Sequence, residues 1–266
     1  MATAGPGTRP AAAMAEAANT AIPFTSATTV LDIGTGPGQV PAAILSAYGA
    51  SLPASSHLIA SDFSTGILDQ LELRKKSEIE GGNADWSKLE IQNLDVTDLS
   101  ALADGSVSHA FAAFVLFMVP QSGAALGEIH RILTSENGGG FFAQSSWQTT
   151  EWADLMGFVS KVRPEKAVPQ LPKTWATVEG VKGELEAAGF RDVDVISVEA
   201  YMPYEDPDEV ARFLLTQIPL MKRLTSDMTG EELEKTRDLM VEEIKAKHPE
   251  TPGRLVGTAL VGIGRK

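Results

Sequence analysis

A chain of 266 residues that is 43% hydrophobic is long enough to bury one sizeable α/β core. It has no cysteine, which excludes a disulfide framework, a zinc–thiolate centre and a cysteine nucleophile. A formal net charge of −13, no run of about 18 apolar residues and no charged-then-apolar start argue against nucleic-acid, membrane and secreted roles, so a cytosolic protein with a small-molecule partner is expected. Residues 1–10, rich in Ala, Gly, Thr and Pro, are expected to be mobile. Ala11 to Thr20 reads as a weak Ala-rich helix with two roles open: a lid over a ligand cleft, or a helix packed on a sheet edge.

From Val30 the chain reads Val-Leu-Asp-Ile-Gly-Thr-Gly-Pro-Gly, ending at Gly38. Apolar β-formers broken by one acid lead into three alternate glycines, which describes a buried strand, a tight curl and a helix behind it. The glycines allow φ > 0 and let a ligand reach backbone N–H groups. A dinucleotide fingerprint needs Gly-x-Gly-x-x-Gly, but here the third glycine comes one residue early and Gln39 fills its slot. Asp32 would also repel a diphosphate and attract a ligand carrying an ammonium and a sulfonium. The stretch therefore favours S-adenosylmethionine over NAD. Pro37 suits the first turn of a helix running to about Tyr48.

Val30 to Gly38 resembles the first motif of the class I S-adenosylmethionine-dependent methyltransferases, and the likeness continues to the end of the chain. Ile132 to Met156 and Leu185 to Pro203 resemble the small-molecule methyltransferases of fungal secondary metabolism. The resemblance implies a single domain over 1–266: an α/β, doubly wound, Rossmann-like sheet of seven strands in the order 3-2-1-4-5-7-6, the last antiparallel. It also implies a flexible N-terminus and possible lid at 1–27, helical cap insertions at 147–177 and 201–252, and S-adenosylmethionine as cofactor, with S-adenosylhomocysteine as product and no metal. Asp32, Gly34, Thr35, Gly36 and Gly38 would hold that cofactor.

Further along, Leu58 to Asp62 is a short strand with an acid at its cleft end. By resemblance Asp62 accepts both ribose hydroxyls and Phe63 packs on the adenine; the plain alternative is an Asp capping the helix that runs from Ser64 to about Glu80. Leu89 to Asn93 alternates as a third strand. Asp95 and Val96 then resemble the adenine-reading segment. Val107 to Phe114 is apolar enough for a central strand. Phe114 to Pro120 falls where the family meets the methionine end of the cofactor, but this chain lacks the Asn and His that many relatives carry there. Phe114 is expected at the cofactor, and Phe117 and Met118 at the substrate or in the core.

Gly123 to Leu133 reads as a helix, with Glu128, His130 and Arg131 structural, and Phe141 to Ser146 as strand five. Trp147 at its end and Trp152 on the next helix are substrate anchors or cap packing. Residues 163–177 suit a cap loop. Val178 to Ala188 is helical, Val193 to Ala200 is strand six, and a helix from Asp206–Pro207 should carry Phe213 to Ile218. A helix from about Thr229 to Lys247 and strand seven, Leu255 to Ile263, follow. Met221, Met228 and Met240 are read as core rather than as cleft lining.

All four histidines look peripheral, so no catalytic base is assigned. That favours an acceptor already reactive or easily ionised: a thiol, an amine, or an acidic phenol or enol. The competing expectation is a protein of the same fold without methyl transfer, either a natural-product cyclase or a regulatory binding partner. The sequence leaves the oligomeric state open.

Overall fold

The computed structural model describes residues 5–266, so residues 1–4 of the segment expected to be mobile lie outside the described residues. The strands are β1 Thr29–Ile33, β2 His57–Asp62, β3 Leu89–Asn93, β4 His109–Ala113, β5 Phe141–Thr150, β6 Arg191–Tyr204 and β7 Gly253–Arg265. They form one sheet in the order β3-β2-β1-β4-β5-β7-β6. β1 to β5 pair in parallel, and β7 is antiparallel to both its neighbours. This is the doubly wound α/β architecture that the resemblance implied.

Around the sheet lie α1 Thr8–Ala21, α2 Gln39–Tyr48, α3 Thr65–Glu80, α4 Ser122–Ile132, α5 Glu151–Met156, α6 Val159–Val162, α7 Val178–Ala187, α8 Pro207–Thr216, α9 Pro219–Leu224 and α10 Gly230–Lys247. Successive strand residues point to opposite faces. Val30 thus joins a core with Met14, Ile44, Leu71, Phe111 and Phe141, between the sheet and α1 to α3. Leu31 and Ile33 join a second with Ile129, Phe142, Val181 and Leu185, beneath α4 and α7. A third core gathers Trp152, Leu214, Met221, Met228, Met240 and Leu255 among α5, α8, α9 and α10 at the ends of β6 and β7. All three methionines are buried there and pack rather than line a mouth.

α1 buries Pro10, Ala11, Met14, Ala15 and Ala18, and packs on α2 and across β4 to β7. The packing reaches the edge strand β6, as the sheet-edge reading of this helix expected. Thr8 to Pro10, expected to be mobile, are its first residues.

Several boundaries depart from expectation, β6 and β7 among them, which run over Arg191–Tyr204 and Gly253–Arg265 rather than Val193 to Ala200 and Leu255 to Ile263. β4 ends at Ala113 because Phe114 turns to φ +59, and Val107 pairs only as an isolated bridge with Leu133. β5 runs four residues past Ser146 because β7 pairs with it as far as Thr150, through an irregularity between Trp147 and Thr149; Trp147 is therefore inside the strand, opposite Ala259. Pro37 lies in the loop ahead of α2, since Gly38, at φ +80 and ψ 42, is the N-cap. Ile218, expected on α8, follows its C-cap Gln217 and caps α9.

Candidate cofactor and acceptor site

The glycine loop joins the end of β1 to α2 and is pinned to β2: the Thr35 N–H donates to the Ser61 carbonyl at 2.8 Å, and the Gly38 N–H to that of Thr35 at 2.9 Å. Gly34 and Gly36 have φ of +63 and +53, where an L side chain is strained. Their surroundings differ. A Cβ on Gly34 would lie 2.4 Å from Cγ2 of Val115, the residue that follows Phe114, whereas a Cβ on Gly36 would meet nothing within 4 Å. The loop is thus packed on one side and open at Gly36. Arg74 of α3 braces it, donating to the carbonyls of Pro37 and Gly38 while stacking on Trp86. That brace was not foreseen, because on a charged helix Arg74 looks like any solvated residue.

Asp32 is 1% exposed, and neither of its carboxylate oxygens has a hydrogen-bond partner. Burial, with a smaller contribution from the Asp62 charge, pushes its pKa up to about 7. The nearby Thr35 hydroxyl pulls the other way, although its oxygen, like both of Asp32's, has no partner at hydrogen-bond geometry. An orphaned buried carboxylate is costly unless a cation or donor meets it. The ammonium end of S-adenosylmethionine fits that requirement, and a diphosphate does not.

Asp62 ties the start of α3, whose N-cap is Ser64, to the glycine loop. Its Oδ1 accepts from the Ser64 N–H at 3.0 Å, at the start of α3, and its Oδ2 from the Gly36 N–H at 3.2 Å. A carboxylate has about four acceptor positions, so these two bonds leave about two of them unused. Beside it, Phe63 is 78% exposed. Asp95 stands one strand over, its Oδ1 taken by the N–H and hydroxyl of Thr97, which hold its carboxyl below the usual range. Val96 is buried in the α4-side core.

The four residues expected at the substrate divide into two groups. Phe117 and Met118 line a groove of about 310 Å³ with Pro172, Trp175 and Glu184, between the end of β4 and the cap loop. Trp147 and Trp152 instead form an aromatic row with Phe114: Phe114 stacks on Trp147 at 4.0 Å and 17°, and Trp147 meets Trp152 edge-on at 5.0 Å. Trp152 is buried in the cap core, with Trp147 packed against it.

The histidines are engaged elsewhere. His57 pairs with Glu90 at 2.7 Å, and His109 lies between Ser108 and the Ile22 carbonyl, with burial pushing its pKa down. His130 packs edge-on against Phe190, and His248 bonds Glu151 at 2.8 Å. Among the described residues no group of three or more metal-binding side chains is gathered, and no helix is long and apolar enough to cross a membrane.

A glycine loop with a buried acid before it and a second acid across the cleft, on this strand order, defines a nucleotide-binding transferase domain. Residues 31–143 match the methyltransferase domain family. The chain is 30% identical over 257 residues to methyltransferase ucsB of an Acremonium species, covering 96% of this chain and 88% of that one. It is 25% identical over 248 residues to methyltransferase tpcH of Aspergillus fumigatus, covering 89% and 84%. A putative methyltransferase from Bacillus halodurans shares the fold, with a TM-score of 0.58 over 96% of this chain and 98% of its own, at 18% identity. The chain belongs to the S-adenosylmethionine-dependent methyltransferases.

Proposed function

We propose that this methyltransferase acts on a small apolar or aromatic molecule of the secondary-metabolite kind, at a sulfur, nitrogen or oxygen that is already reactive or easily ionised. The observation that carries the cofactor half of this reading is Asp32, a buried carboxylate with two unpartnered oxygens beside a loop that is open at Gly36. When bound, S-adenosylmethionine supplies an electrophilic methyl group on a cationic sulfur and leaves S-adenosylhomocysteine. Asp32, Gly34, Thr35, Gly36 and Gly38 take its amino-acid end, Asp62 the ribose, and Phe63, Asp95 and Val96 the adenine. Transfer of this kind asks the chain to align its reactants and exclude water rather than to trade protons. That suits a site whose histidines are all committed elsewhere.

Two measurements test the proposal. Isothermal titration should give heat with S-adenosylmethionine and with S-adenosylhomocysteine; heat with NAD alone would overturn the cofactor assignment. A panel of thiols, amines and phenols incubated with the methyl donor should show mass gains of one or two methyl groups. Donor binding without any gain across all three acceptor classes would favour a fold-sharing protein that does not transfer.

A further inference from the structure

Phe114 is the bulky residue that the packing of the molecule explains least. Its φ of +59 lies in the left-handed region, where a large side chain is a strained outlier. The strain is held in place: its N–H donates to both the carbonyl of Ser145, at 3.0 Å, and the hydroxyl of Ser145, at 3.2 Å. Yet the ring is half-buried and belongs to none of the three cores or the residues packed against them. Among the described residues its only ring partner is Trp147, which is anchored in turn by Trp152. A backbone strained to present an aromatic ring that no core uses points to a ligand.

The position narrows the ligand. Phe114 is the first residue past the cleft end of β4, and the next residue, Val115, touches Gly34 of the glycine loop. The ring therefore stands next to the loop but on the β5 side of it, held by Ser145 and Trp147. One of its faces is taken by Trp147. Stacked π-faces discriminate by shape, because a flat conjugated ring lies against them over its whole area and a puckered ring does not.

We propose that Phe114 is a specificity-determining residue of the acceptor site, adding its half-buried ring to the Trp147–Trp152 row so that a planar conjugated ring of the substrate extends the stack. This rests on the methyltransferase reading above and assigns Phe114 to the acceptor instead of the cofactor.

The test uses the whole protein saturated with S-adenosylhomocysteine, titrated with 2-naphthol and with its saturated counterpart, decahydro-2-naphthol. The planar probe should bind at least tenfold more tightly. Phe114→Asn keeps a residue tolerant of the left-handed region while removing the ring; it should weaken 2-naphthol at least fivefold, and Phe114→Tyr should restore binding. In both variants the affinity for S-adenosylhomocysteine, titrated separately, should stay within twofold of the parent. Equal binding of the two probes, or no binding of either, would overturn the proposal. So would a Phe114→Asn variant that loses S-adenosylhomocysteine rather than 2-naphthol, which would return the ring to the cofactor. Failure of S-adenosylhomocysteine to bind the parent protein would instead strike the methyltransferase reading itself.

Discussion

At the scale of single residues, Asp32 carries an electrostatic cost that the free protein does not offset. Its pKa rises from 3.8 to about 7, chiefly through burial. In the folded state it therefore holds a proton that the unfolded chain gives up at lower pH. The sign follows: the stability this group allows is full below 3.8 and is lost as pH rises through about 7. At about 1.4 kcal/mol per pKa unit, the loss is bounded at about 4 kcal/mol. Asp32→Asn removes the charge but not the shape, so its melting temperature relative to the parent should climb between pH 5 and pH 8. A difference that does not change with pH would mean that the carboxylate is not under this strain. The singular position of Asp32 was legible because an acid interrupts an apolar strand just before the glycines. The conformation of Phe114 was not, since nothing in Ala113-Phe114-Val115 marks a left-handed residue; only the double hold of Ser145 on its N–H shows it.

At the scale of elements, the glycine loop separates a packing role from a binding role. Gly36→Ala places its methyl in open space and should cost about 1–2 kcal/mol of backbone strain. Gly34→Ala meets the stiff Val115 side chain at 2.4 Å and should cost about 1–3 kcal/mol more. Gly36→Ala should nonetheless lose S-adenosylmethionine affinity at least tenfold, because its methyl fills the open side of the loop. A Gly36→Ala protein that binds as the parent does would show that the open side is not where the ligand lies. The first three strands could be read from their apolar runs, since each is short and bounded by turn residues. β7 was read short at both ends, where Gly253 and Gly264 look like breaks, although the reading ran through Gly257 and Gly262. In the fold they admit neighbours, Trp152 against Gly257, Val181 and Gln144 against Gly262, and Phe190 against Gly264. Such compensation depends on residues distant in sequence and leaves no local mark.

At the scale of the whole molecule, two cores hold the sheet between helical layers and a third holds the cap, while the end of β1 keeps a buried, unpartnered carboxyl group. The strand order came from the resemblance and not from periodicity, which finds strands but cannot order them. The central claim is that the cofactor's cationic end neutralises Asp32. The most direct test is the dissociation constant of S-adenosylmethionine, measured by calorimetry from pH 5.5 to 7.5 for the parent protein and for Asp32→Asn. The parent should bind more tightly as pH rises toward 7, where Asp32 ionises, while the variant should bind at least a hundredfold more weakly at pH 7.5 and with a flat profile. Parent-like affinity in the variant, or tightest parent binding at the acid end, would contradict the account.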